Sequence, residues 1–458
     1  MKATKIKHER KSPVKVIPIS FLLAILVGTG LLMLPFSTVP GEETDIITAL
    51  FTATTSICVT GLVVVDTCSH WTLFGHIVIL LLIQIGGLGV VAVGAMFMMV
   101  RKKKLTLEDR VLLGNSLNID KSGGLLAFLI KIFKGTFLVE GVGAVLYSAK
   151  FVPLLGLKGL WASVFNSVSA FCNAGMDIIG PDSMISFQDS PYLLGVTMAL
   201  IVLGGLGFVV WFDMIGGIRT GLKRRLPLCT VIDHLSEHSK LVLTMTGLLI
   251  LTGTIGIFAA EYYNFATIGN MSLSGKLANS LFQSVTLRTA GFASVPQESL
   301  TELSCLICYI LMFIGGSPVG TAGGIKTVTA FLVFRNALSY VRGNKESVVF
   351  RRRVPEEMIR KAAAIVFVSC CVACVMTLLL VAIEDIPLVN ALFEILSALG
   401  TVGLSRGVTP GLGTVGRLIV IIAMYLGRIG PISMAVFFAK TAGKENKVRH
   451  ADGVFYVG

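Results

Sequence analysis

A short stretch that opens on a phenylalanine and closes on a glycine recurs four times along the chain, and no other feature restricts the fold so severely. The copies are F-T-A-T-T-S-I-C-V-T-G-L from Phe51, F-N-S-V-S-A-F-C-N-A-G-M from Phe165, F-Q-S-V-T-L-R-T-A-G-F from Phe282 and F-E-I-L-S-A-L-G-T-V-G-L from Phe393. Their glycines, Gly61, Gly175, Gly291 and Gly403, follow one another at intervals of 114, 116 and 112 residues. The Phe-to-Gly distance is ten in three copies and nine in the third. A second motif follows each glycine: I-G-G-L-G at Ile85–Gly89, L-G-G-L-G at Leu203–Gly207, I-G-G-S-P at Ile314–Pro318 and L-G-R-I-G at Leu426–Gly430. Two motifs held in one register imply four copies of a single supersecondary unit.

The solvent of those units is lipid. The chain is 54% hydrophobic and 14% charged, with a mean hydropathy of +0.83. Apolar runs lie at about Val14–Pro35, Leu73–Val100, Leu125–Tyr147, Tyr192–Ile218, Leu241–Ala260, Cys305–Phe334, Ala362–Ile383 and Gly416–Phe438, and about 20 apolar residues suffice to cross a bilayer core. The first run reads as a spanning helix rather than a cleavable leader, being too long and lacking a small-residue cleavage site. A net charge of +13 does not indicate nucleic acid, because most of the basic residues fall in Met1–Lys15, Arg101–Lys121, Arg219–Lys240, Arg335–Lys361 and Lys440–Arg449. These segments are the amino terminus and the connections after every second run. The positive-inside rule therefore expects both termini and these loops in the cytoplasm, at the plasma membrane. The alternate loops carry acids, among them Glu42, Glu43, Asp45, Asp66, Asp177, Asp182, Asp189, Glu298, Glu302, Glu384 and Asp385. Such a face would concentrate cations. The expected organisation is repeat 1 over 1–121, repeat 2 over 122–240, repeat 3 over 241–361, repeat 4 over 362–440 and a tail over 441–458.

Each Phe-to-Gly stretch is too short to span and fits a half-helix that enters the membrane and stops midway. Non-helical backbone is tolerated there only where it is buried in protein or lines a watery cavity. Four such loops in one chain can converge on one axis. A dehydrated alkali cation needs several oxygen ligands, which rings of backbone carbonyls provide, and glycine adopts the required backbone cheaply. The expected ligands are Gly61, Gly175, Gly291 and Gly403 with the carbonyls of Val59, Thr60, Asn173, Ala174, Thr289, Ala290, Thr401 and Val402. Each half-helix would also aim the negative end of its dipole at the cavity. Arg288 is expected to point sideways and bind carbonyls or a carboxylate.

The second motif reads as a gate. In the third copy Gly315, Gly316, Ser317, Pro318, Val319, Gly320, Thr321, Ala322, Gly323, Gly324, Ile325 and Lys326 form a poor helix, since proline removes a backbone donor. An intramembrane loop is expected. In the fourth copy Arg428 brings a charge costing about 2.5–3.5 kcal/mol at mid-membrane; it is either an electrostatic barrier or part of a structural ion pair. Lys326 either joins that barrier or snorkels. The C-x-x-C pairs, Cys305/Cys308 and Cys371/Cys374, read as packing rather than metal or redox sites. His234-Leu-Ser-Glu237-His238 matches a zinc-protease pattern and leaves a membrane metalloprotease as a remote alternative. G-T-A-G-G-I-K-T from Gly320 mimics a phosphate loop but lacks the spacing and the preceding strand.

The motifs V-T-G-L, N-A-G-M, R-T-A-G-F and T-V-G-L, with G-G-S-P…T-A-G-G-I-K and the L-G-R-I-G-P ending at Pro431, resemble the Trk/Ktr/HKT superfamily of cation transporters over nearly the whole chain. The nearest likeness is to the Ktr-type potassium-uptake membrane subunit, because no extra hairpin precedes the first repeat. The resemblance implies an all-α membrane protein of four helix–pore-loop–helix repeats and K⁺ selectivity from four filter glycines. It further implies a gate made by the third-repeat loop with Arg428, and no enzyme activity. It implies a homodimer on a cytosolic, nucleotide-binding regulatory ring (KtrA-like), no cofactor of its own beyond the transported K⁺, and uptake that is often Na⁺-dependent. A Na⁺ conductor or K⁺/Na⁺ symporter of the same fold is the alternative. The basic loops suit either the ring or anionic lipid. Leu287, Cys172 and the pair Val319-Gly320 depart from the usual family pattern.

Overall fold

The computed structural model describes residues 13–100, 114, 124–225, 227–344 and 346–430. The basic segment Arg101–Lys121 apart from Gly114, nearly all of Met1–Lys15, Lys440–Arg449, Pro431 and the tail lie outside the described residues. Among the described residues the regular structure is helical but for one two-stranded hairpin, Val348–Val349 with Arg352–Arg353.

Each unit has a lead helix, a half-helix and a return helix. The lead helices are Pro13–Leu32, Leu125–Leu155, Glu237–Glu261 and Glu356–Glu384. The half-helices are Ile46–Cys58, Leu157–Cys172, Leu273–Thr286 and Leu388–Gly400. They begin upstream of the repeated phenylalanine, at starts such as Asp45 and Ser272, whose side chains accept the N–H groups of Thr48 and Gly275. At about 1.5 Å per residue they fall short of a bilayer's hydrocarbon thickness. Phe51, Phe165, Phe282 and Phe393 have no exposed surface, which accounts for the recurrence of one large apolar residue at that point.

The return helices are Leu73–Leu88, Pro191–Leu206, Glu302–Phe313 and Thr414–Ile429, and the first three start at hydroxyl caps. The Thr72, Ser190 and Thr301 side chains accept the N–H of Gly75, Leu193 and Ser304. The fourth starts at Gly413, which has no side chain to cap with. The Glu384 carboxylate of the neighbouring lead helix takes over, accepting the N–H of Gly413 at 3.0 Å and of Gly416 at 2.9 Å. In repeat 3 Glu261 adds to the hydroxyl cap, accepting the Thr301 N–H at 2.9 Å and its hydroxyl at 2.7 Å. One carboxylate thus satisfies helix-end donors that lipid could not.

The return segments break at the glycines of the second motif. Leu73–Leu88 and Val90–Met98 meet at a 96° bend, and Pro191–Leu206 and Phe208–Arg224 at 99°. The corners are Gly89 and Gly207, with φ of 90° and 89°, and Gly430 ends the fourth helix at φ 92°. That backbone is costly for a residue with a Cβ. The third copy has Pro318 at the corresponding place, whose ring fixes φ near −65°. The helix there stops at Phe313 and resumes only at Thr327. Among the described residues two helices, Glu237–Glu261 and Glu356–Glu384, are long and apolar enough to cross a membrane unbroken, or four spans if each bent pair counts as one.

The bundle is apolar on its outer surface and buries polar side chains of its half-helices beside an apolar core. Leu23, Leu251, Phe367 and Leu378 of the lead helices are more than half exposed, whereas Thr55, Ser167, Gln283, Glu394 and Ser397 of the half-helices are buried. An apolar exterior, with polar side chains buried on the half-helices, suits lipid outside and a polar path within.

Candidate functional site

The end of each half-helix carries one backbone pattern. Val59, Asn173, Thr289 and Thr401 lie in the left-handed region at φ 56°, 61°, 72° and 50°, and two residues on Gly61, Gly175, Gly291 and Gly403 return to positive φ at 100°, 67°, 81° and 97°. For β-branched Val59, Thr289 and Thr401 that conformation is strained, a condition that persists only where the surroundings enforce it. In repeats 1, 2 and 4 the turn is closed by the N–H of Thr60, Ala174 and Val402 on the carbonyl five residues back, at 2.8, 2.8 and 2.7 Å. In repeat 3 the Ala290 N–H bonds Thr286, four residues back, at 2.9 Å. The nine-residue spacing of the third copy is the missing residue of that turn.

The four loops meet in a ring. A methyl on Gly175 would stand 2.6 Å from the Ala290 carbonyl oxygen, and one on Gly291 2.5 Å from that of Val402. A methyl on Gly61 would overlap the Ala174 oxygen, and one on Gly403 would overlap that of Thr60. Each glycine therefore abuts the next repeat's penultimate carbonyl, and the fourth abuts the first. All twelve residues singled out in the sequence come together here, and Val59, Thr60, Asn173, Ala174, Thr289, Ala290, Thr401 and Val402 are at most 1% exposed.

One set of anchors was not singled out from the sequence. The Thr55 and Ser397 hydroxyls accept the N–H of Gly61 and Gly403, both at 3.0 Å, and the Thr286 hydroxyl donates to the Phe292 carbonyl at 2.7 Å. These residues stand four places after the repeated phenylalanine, as does Ser169, whose hydroxyl has no partner among the described residues. A hydroxyl in all four copies was the available signal. Beyond the ring, Glu394 accepts from the Ser405 hydroxyl, the Arg406 N–H at 3.1 Å and the Thr409 hydroxyl at 2.8 Å. Arg406 donates to Asn390 and to the Glu298 carbonyl, both at 3.0 Å, and contacts the Cys305 sulfur.

Below the ring runs the irregular segment from Gly315 to Lys326. It is held by Ser317 N–H to Gly205 O at 3.0 Å, Thr321 N–H to Gly204 O at 3.2 Å and Phe208 N–H to Val319 O at 3.0 Å, so it docks on the glycine corner of repeat 2. Gly315 and Gly316 bond Ile325 and Gly323 across the loop, and Ser317 shares a hydroxyl contact with Thr327. Gly320 lies against the Gly207 backbone, the Pro318 oxygen abuts Gly207, and Gly323 abuts Thr401. Gly324 adopts φ 64°. Arg428 reaches under the ring, donating to the Thr321 carbonyl at 2.7 Å and the Gly86 carbonyl at 2.6 Å. No carboxylate pairs with it among the described residues, so the structural ion pair gives way to backbone anchoring. The Lys326 ammonium turns back to the Ala322 carbonyl at 2.7 Å instead of snorkelling away.

One expectation needs correction, and the remote zinc alternative falls. Arg288 does turn sideways, but its Nη2 meets the Thr246 hydroxyl at 3.4 Å, neither a carbonyl nor a carboxylate. The zinc pattern fails because His234 ends the helix Leu228–Asp233 while Ser236 caps the helix Glu237–Glu261. The two histidines do not share a helical face, and Glu237 pairs with Arg352 at 2.8 Å. Of the C-x-x-C pairs, Cys305 and Cys308 are packed inside, whereas Cys371 and Cys374 are exposed on their lead helix.

Residues 3–449 match the family model TrkH, described as a cation transport protein. The chain is 38% identical to the potassium/sodium uptake protein NtpJ of Enterococcus hirae, over 92% of each chain. It is also 38% identical to the Ktr system potassium uptake protein B of Bacillus subtilis, over 99% of this chain and 98% of that one. In fold it is similar to the potassium transporter TrkH from Vibrio parahaemolyticus, with a TM-score of 0.74 at 16% identity, covering 95% of this chain and 86% of that one. With matches spanning almost its entire length, the chain belongs to the TrkH family of cation transport proteins, a multi-pass membrane transporter and not an enzyme.

Proposed function

We propose that the protein takes up K⁺ through a central pore whose selectivity filter is the ring of Gly61, Gly175, Gly291 and Gly403 with the carbonyls of the two residues before each. The observation that carries this reading is the cyclic closure of the ring, in which four strained loops spaced through the chain abut one another's carbonyls in sequence. A backbone that alternates the sign of φ turns successive carbonyls to one side, which is what a dehydrated cation requires of a ring of ligands. The names of the two uptake relatives include potassium. The gate in this reading is the segment Gly315–Lys326, locked by Arg428, whose guanidinium would oppose a passing cation.

The proposed organisation is four repeats over 1–121, 122–240, 241–361 and 362–440 and a cytoplasmic tail over 441–458, with both termini inside the cell at the plasma membrane. The basic connections support that orientation. The protein would act as a homodimer with a cytosolic nucleotide-binding partner, in keeping with the word "system" in the names of its Ktr relatives. Nucleotide would act only through that partner, and anionic lipid would meet the same basic face. Na⁺-dependent uptake or K⁺/Na⁺ symport is the second reading, favoured by the relative whose name joins the two ions.

The test is growth of K⁺-uptake-deficient cells carrying this chain, with K⁺ and Na⁺ fluxes compared against Gly61→Ser and Gly403→Ser. The filter reading expects the serine forms to lose K⁺ preference. Full preference retained in both would sink it.

A further inference from the structure

We infer that Thr321 is a positioning residue for ion selectivity, holding Asn173 of the second filter loop in place only while the intramembrane loop is closed, so that ion preference and gate state are linked. The inference rests on the filter and gate reading above.

Thr321 is fully buried and has all three of its polar groups engaged. Its N–H donates to the Gly204 carbonyl at 3.2 Å and its carbonyl accepts Arg428 Nη1 at 2.7 Å. Its hydroxyl lies 3.1 Å from the Phe171 carbonyl and 3.2 Å from Asn173 Oδ1. The first two contacts belong to the gate; the third belongs to the filter. At 3.2 Å the Thr321 hydroxyl and Asn173 Oδ1 are in direct contact, with no water between them.

Asn173 holds a left-handed backbone at φ 61°, ψ 42°, and its amide Nδ2 has no hydrogen-bond partner among the described residues. At the matching positions Val59 has no polar side chain, and the Thr289 and Thr401 hydroxyls are buried without partners. Among the described residues, the second filter loop is thus the one whose left-handed residue is tied to the gate segment by a side-chain hydrogen bond, whereas Thr401 only packs against Gly323. Any motion that frees Arg428 from the Thr321 carbonyl and withdraws the segment also removes that tie. An equilibrium coupling of this kind is reciprocal: the ion in the filter must bias the gate as strongly as the gate biases the filter.

The experiment uses the full chain in liposomes, with K⁺ and Na⁺ flux measured for wild type, Thr321→Val, Thr321→Ser, Asn173→Ala, the Thr321→Val/Asn173→Ala pair and Gly403→Ser. Loss of one hydrogen bond should change the K⁺/Na⁺ flux ratio about fivefold in Thr321→Val. Thr321→Ser should restore the ratio, and the double variant should add nothing to Asn173→Ala. In parallel, labelling of a Val319→Cys thiol, read at that peptide by mass spectrometry, should differ between K⁺ and Na⁺. A Thr321→Val ratio equal to wild type, or additive single effects, overturns the coupling. If Gly403→Ser alone shifts the ratio, the filter reading survives without it; if no variant shifts it, the filter reading falls first. Should Thr321→Val fail to fold, equal labelling of Val319→Cys in the two ions overturns the inference.

Discussion

Gly403 and Thr60 lie near opposite ends of the chain, yet a methyl group on Gly403 would overlap the Thr60 carbonyl oxygen. Repeat 4 thereby closes on repeat 1. Gly403→Ala would add that collision to a backbone at φ 97°, a strain of about 1–3 kcal/mol from the conformation alone. The variant should insert and purify normally but lose at least about tenfold in K⁺ uptake, a strain of that size being worth a factor of ten in population. Radiolabelled rubidium uptake measures it, and unaltered uptake would separate the ring from conduction.

Arg428 donates to carbonyls of two different repeats. Arg428→Ala removes both bonds and the positive charge from the path, so flux in liposomes should rise. Arg428→Lys should fall between, since an ammonium cannot reproduce the two-pronged geometry of a guanidinium. Unchanged flux in the alanine form, with and without the cytosolic partner, contradicts a barrier at this residue.

Asp177 follows Gly175 by two residues and is 8% exposed. Burial pushes its carboxyl up to about 6, and the nearby Asp66 adds to the rise. The folded protein therefore binds this proton more tightly than the unfolded chain does. Its contribution to stability is greatest below the ordinary carboxylate value and declines as pH rises to about 6. For transport the sign is opposite. A charged Asp177 beside the ring attracts cations, so apparent cation affinity should weaken as pH falls from 7 to 5. Asp177→Asn should flatten that profile, and a variant whose profile matches wild type excludes this carboxyl as its source.

Glu261 is 1% exposed and accepts from Asn264, Thr267 and both donors of Thr301 at 2.7 to 2.9 Å. Glu261→Ala leaves the Thr301 N–H without a partner, at about 1–3 kcal/mol, while Asn264, Thr267 and the Thr301 hydroxyl keep only Ser299, Asn264 and Ser304. Thermal unfolding in detergent should drop by several degrees. Glu261→Gln, which keeps acceptor oxygen, should lose less. Equal melting of all three proteins would show that the carboxylate does not hold the helix start.

The local code wrote much of this protein plainly. Repetition of Phe51, Phe165, Phe282 and Phe393 with their glycines defined four units, and hydropathy defined their solvent, because both are properties of residues close together in the chain. The left-handed turns were likewise foreshadowed by glycine, the residue that adopts such backbone at least cost. The anchoring hydroxyls of Thr55, Thr286 and Ser397 were in plain view in the same repeat. Their meaning was hidden because a hydroxyl's partner depends on how the turn folds back. What only the tertiary structure decided is which groups meet across repeats: the order in which the ring closes, the carbonyls of Gly86 and Thr321 that receive Arg428, the hydroxyl of Thr246 facing Arg288, and the helix break that parts His234 from His238. Such contacts join residues far apart in sequence, and their geometry is set by the packing of all four units at once, which no single segment encodes.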